Sequence, residues 1–136
     1  MEKNIFKYTI NNAWNMPIKS VTVTNDEVNL TDEETSKKTK IDINKLESIL
    51  KQYKDKIDKI KIEELPNPGV MDGYVNEITI YNKTYSFDNL IFYSEEDLNE
   101  NKDLNTIFTF LDELYDFFEQ EDKTICDYFV LEDEND

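Results

Sequence analysis

The sequence predicts a single α+β domain: a mainly antiparallel sheet with two amphipathic helices, at about 43–58 and 104–119, packed on one side. Three observations lead there. Short segments alternate apolar and polar residues with the period of half-buried strands. Those segments neighbour one another in the chain, as hairpin strands do. Two longer segments instead repeat apolar residues at three- and four-residue steps. The 136 residues are the common size of one domain and enough for one core. We assign 1–131 to the domain and the closing EDEND run, 132–136, to an acidic solvated end.

In chain order, NIFKYTI at 4–10 places Phe6, Tyr8 and Ile10 on a core face, with Lys7 and Thr9 on the other. SVTVT at 20–24 alternates in the same way. Asn25-Asp26 before EVNLT predicts a tight hairpin, since Asn and Asp tolerate the left-handed backbone of such turns. From Ile43 the period lengthens. Ile43, Leu46, Ile49, Leu50, Tyr53, Ile57 and Ile60 fall on one helical face, and either Asp42 or Asn44 suits the cap.

KIKIEEL at 59–65 reads as a strand that the prolines of PNPGVMDGY end, because proline removes a backbone donor. That stretch reads as a corner, with Asp72-Gly73 turning the chain into the alternation of VNEITIY. The alternation sets Asn76, Ile78 and Ile80 against Val75, Glu77, Thr79 and Tyr81, and Asn82-Lys83 is placed as the reversing turn. NLIFY reads as another strand, and SEEDLNENKD as polar loop ending in an Asp103 cap. The second helix is marked by Leu104, Ile107, Phe108, Leu111, Leu114, Tyr115 and Phe118. ICDYFVL at 125–131 is expected to be a last strand.

The residue inventory removes whole classes of chemistry. There is no His and no Arg, so all 15 basic residues are Lys. Histidine-based zinc sites, Ser-His and Cys-His nucleophile pairs, and bidentate arginine clamps are excluded. Cys126, the single cysteine, reads as a small core residue with no base to activate it, and suits a reducing compartment. Two glycines cannot build a phosphate-binding loop. A calcium loop begun at Asp97 has Lys102 where glycine is needed and Phe108 where Glu is needed. We therefore expect no catalytic residues, no metal and no cofactor. With no apolar run of membrane-spanning length and no signal-like start, the chain is expected to be cytoplasmic, with no membrane partner.

The charge is lopsided. Residues 1–93 hold 15 acids and 13 lysines, a net of -2, whereas residues 94–136 hold 16 acids and 2 lysines, a net of -14. Nine lysines lie between 37 and 61, where Asp42, Glu47, Asp55 and Asp58 balance them, so a direct nucleic-acid surface is not expected. On the second helix Asp112, Asp116 and Glu119 share a stripe opposite the apolar face, with Glu113 at its edge. Such a stripe either keeps the chain soluble or steers a basic partner, raising its association rate. A further candidate contact is the turn, Asp72, with Tyr74 as an aromatic anchor beside Tyr81.

PNPGVMDGYVNEITIY, together with small size and acidity, resembles small acidic bacterial proteins, some of them immunity proteins of toxin systems. The likeness spans about a fifth of the chain and carries no site residue over one by one. It implies a single-domain binder that neutralises a cognate toxin. The expectation is a non-enzymatic acidic binding protein, an immunity or inhibitor protein covering a basic partner. The alternatives are a phage-encoded anti-CRISPR or other nucleic-acid mimic, a small-ligand protein with a pocket at Tyr81 and Tyr85, and a domain whose acidity serves only solubility.

Overall fold

A computed structural model describes residues 4–12, 14, 16–25, 27–61, 64–65, 75–88 and 95–129. The strands β1 (Asn4–Asn11), β2 (Pro17–Thr24), β3 (Glu27–Asp32), β4 (Ser36–Lys40), β5 (Val75–Ile80) and β6 (Lys83–Asp88) form one antiparallel sheet in the order β4-β3-β2-β1-β5-β6. The helices are α1 (Ile43–Asp58), α2 (Glu95–Glu100) and α3 (Lys102–Glu121), followed by a 3-10 helix, Lys123–Tyr128. This is the expected α+β architecture.

The registers stack side chains into rows that cross the sheet. On one face Val28, Val23, Phe6 and Ile80 form a row, and Leu30, Val21, Tyr8, Ile78 and Tyr85 form the next. All of these are buried. The other face carries Asn29, Thr22, Lys7, Thr79 and Thr84 in one row and Thr31, Ser20, Thr9, Glu77 and Ser86 in the next. One apolar and one polar face is the pattern of a sheet covered on one side. Thr9, expected to point outward, does lie on the polar face, but its neighbours bury it. The register shifts between Asn4 and Phe6, which lets consecutive Ile5 and Phe6 both be buried.

α1 begins where Asp42 accepts from the amides of Asn44 and Lys45, so Asp42 and not Asn44 is the cap. Leu46, Leu50, Tyr53 and Ile57 form its buried face, as the spacing required. α3 runs antiparallel to it. The Tyr53 and Phe110 rings lie 5.3 Å apart, while at the other end the Glu121 carboxylate accepts from the Asp42 amide. Phe118 fills the centre, with ring centroids 6.4 Å from Phe6, 5.1 Å from Phe117 and 5.3 Å from Phe129.

Several sequence expectations are corrected. Residues 123–128 form a 3-10 helix and not a strand. Asp122 starts it by accepting from Thr124 N at 3.1 Å and Thr124 Oγ1 at 2.7 Å, and ties it to the sheet by accepting from Thr39 Oγ1 at 2.8 Å. A short apolar run suits a buried strand or a buried helical turn equally, and the cap selects the turn. Residues 95–100, read as loop, are α2; its first-turn acids favour the helix dipole, but with nothing buried it has no apolar stripe to betray it. The cap of α3 is Asn101, accepting from Leu104 N at 3.0 Å, in place of Asp103.

Residues 59–61 and 64–65 of the expected KIKIEEL strand are not in a strand. The β5–β6 turn is Tyr81-Asn82, since Ile80 pairs with Lys83. This register sets the Thr79 and Thr84 hydroxyls 2.8 Å apart and holds Tyr81 at φ 56°. The Asn25 turn is as expected, with φ 54° and Thr24 paired to Glu27. β4 was missed because SKKTK has no apolar alternation; as an edge strand it needs none, and its lysines discourage further strand pairing. The NLIFY strand and the PNPGVMDGY corner lie outside the described residues.

Candidate functional site

The fold places the acidic stripe on the outer surface of α3. Asp112, Asp116 and Glu119 are exposed, on the side of the helix opposite its buried Ile107, Phe110, Leu114 and Phe118. No described lysine forms an ion pair with any of the three; the two ion pairs among the described residues are Lys38–Glu27 and Lys83–Asp58. α2 packs against α3 and adds exposed Glu95, Glu96 and Glu100, with Lys102 at the start of α3. Carboxylates at these helical steps stand about 5–6 Å apart at Cβ and repel.

Glu113 behaves differently. It is half-buried where α3 faces α1, and its Oε1 accepts from the Tyr53 hydroxyl at 2.9 Å. Burial, then Glu113, pushes the Tyr53 hydroxyl up to about 12. Two similar bonds hold α1 to the β5–β6 hairpin: Tyr81 donates to Glu47 at 3.3 Å and Tyr85 to Asp58 at 3.1 Å. The hydroxyls suggested for a ligand pocket, those of Tyr81 and Tyr85, are thus committed to α1. Glu113 of α3 and Glu47 and Asp58 of α1 are thus fold contacts, and these tyrosine bonds distinguish them from the stripe. Asp72 and Tyr74, the remaining candidates, lie outside the described residues.

A shallow groove of about 380 Å³ runs between α1 and α3. Because the helices are antiparallel, Lys45 stands near Gln120, Ile49 near Phe117, and Gln52 near Glu113 and Asp116. Its floor is apolar, one end is cationic and the other carries two carboxylates. Sequence periodicity could not reveal this groove, since it is made by two segments about 60 residues apart.

The feature that sequence reasoning missed is the β1–β2 loop. Trp14 is 82% exposed and Met16 60% exposed. Asn12 shapes the loop: its Oδ1 accepts from Trp14 N at 2.9 Å and Met16 N at 3.0 Å, and its amide donates to Met16 O at 2.9 Å. The signal was present in the sequence, as the only tryptophan stands in NAWNM, the short connection between two strands.

Cys126 is buried and donates to the Tyr115 carbonyl at 3.4 Å; burial pushes its thiol up to about 11, with Glu119 and Asp127 adding to the effect. A neutral buried thiol is a poor nucleophile. Among the described residues no three Asp, Glu or Cys side chains converge in a way that could hold a metal ion. No described helix is long and apolar enough to cross a membrane. Comparison with protein-family models, curated proteins and solved structures finds no match of any of the three kinds.

Proposed function

We propose that the chain is a non-enzymatic binding protein, of the immunity or inhibitor kind, that covers a basic surface of its target with the outer face of α3. The observation that carries this reading is the unpaired stripe of Asp112, Asp116 and Glu119, held on a rigid helix whose opposite side is locked into the core. Among the described residues no lysine forms an ion pair with these mutually repelling carboxylates, while lysine pairs with acid at Lys38–Glu27 and Lys83–Asp58. A negative field of this kind raises the encounter rate with a cationic partner and rejects acidic competitors.

The test replaces Asp112, Asp116 and Glu119 with Asn or Gln, leaving Glu113 with Tyr53, and measures association with a partner captured from the host. The association rate should fall by about tenfold at low ionic strength, and the loss should shrink as salt is added. An unchanged rate removes the proposal.

A further inference from the structure

We infer that the groove between α1 and α3 is the seat for one lysine or arginine side chain of the partner. This rests on the reading above and specifies what the acidic face grips. A lysine or arginine side chain has two parts, an aliphatic stem and a charged head, and prefers to lay the stem on apolar surface while the head meets a counter-charge. The groove offers both in the matching order. Ile49 and Phe117 form the floor, and Glu113 and Asp116 stand at one end. The groove is open to solvent, and its volume of about 380 Å³ admits one such side chain with room to spare.

The two carboxylates differ in kind. Tyr53 donates to Glu113 Oε1 at 2.9 Å, which restrains a carboxylate that also lines the groove. Asp116 is exposed and lines the groove beside it. Lys45, at the opposite end beside Gln120, sets the direction of entry. It repels a cationic head placed at its own end and attracts the carbonyl oxygens of the segment that carries the side chain. The groove therefore orients its occupant as well as holding it, which the stripe alone does not do.

The probe is N-acetylarginine amide, titrated into the uniformly ¹⁵N-labelled protein, with N-acetylnorleucine amide as an uncharged stem and N-acetylglutamate amide as the opposite charge. Saturable shifts should concentrate at Ile49, Gln52 and Phe117, follow the arginine probe, and be absent with glutamate. Asp116→Asn should weaken the arginine response about two- to fivefold, the loss of one solvent-screened ion pair. Lys45→Gln should leave the head in place but lessen any preference for a probe with a C-terminal carboxylate over the amide. Shifts that match those of norleucine, or that spread without saturation over Asp112, Glu119 and α2, overturn the groove; the second pattern leaves the stripe as a steering field intact. Failure of the stripe itself is read separately, in the salt dependence of partner association.

Discussion

If the exposed carboxylates of α3 serve a partner and not the fold, removing their charge should make the protein more stable. The perturbation is the triple replacement Asp112→Asn, Asp116→Asn, Glu119→Gln. Asp112 and Asp116 are four residues apart and Asp116 and Glu119 three, so two like-charge contacts are relieved, at about 0.2–0.5 kcal/mol each. Glu119 also lies in the last turn of a helix that ends at Glu121, where a negative charge opposes the helix dipole by about 0.3–1 kcal/mol. None of the three makes an ion pair with a described lysine, so no compensating loss is expected. The sum is a gain of about 0.7–2 kcal/mol at low ionic strength. Urea unfolding reads it as a higher midpoint at unchanged slope, and the gain should shrink by more than half at about 1 M salt, where screening reaches only about 3 Å. A triple variant less stable than the parent at low salt would show that these carboxylates belong to the fold, and the proposed function would lose its main support.

Two further outcomes follow from the same structure. Phe118→Ala should cost about 3–5 kcal/mol, because a fully buried ring contacting Phe6, Phe117 and Phe129 is deleted from the junction of sheet, α3 and 3-10 helix; a midpoint shift equivalent to less than about 1.5 kcal/mol would mean that the junction is not the core of the domain. Alkaline pH should unfold the protein through its tyrosines. Tyr8, Tyr53 and Tyr85 are pushed from 10.0 to about 12, chiefly by burial. A folded value above the unfolded one favours the neutral phenol in the fold, so their contribution is complete below pH 10 and is lost as pH rises through 12. Tyrosinate absorbance should rise in two stages, the later one coinciding with loss of helical signal. A single stage near pH 10 with the fold intact would refute it.

Where a sequence segment has one apolar face, that face determined the structure. The period-two segments at 4–10, 20–24 and 75–80 and the helical periods from Ile43 and Leu104 each had a single way to bury their large side chains. The same spacing fixed which side of α3 is acidic, because the residues opposite a buried stripe must face solvent. Segments without such a stripe were opaque. SKKTK pairs as a strand only because β3 supplies the ladder beside it, and EEDLNE forms a helix that buries nothing of its own. ICDY could serve as strand or turn until Asp122, anchored by Thr39 of β4, capped it as a 3-10 helix.

The candidate site divides along the same line. Asp112, Asp116 and Glu119 were legible as a stripe from their spacing alone. That Glu113 instead belongs with Tyr53, that Glu47 and Asp58 are taken by Tyr81 and Tyr85, and that α1 and α3 enclose a groove with unlike ends, depends on residues brought together from distant parts of the chain. Local periodicity records how one element divides its own surface between core and water. Which carboxylates are bonded within the fold, and which stay exposed, is decided only when a second element comes within hydrogen-bond reach.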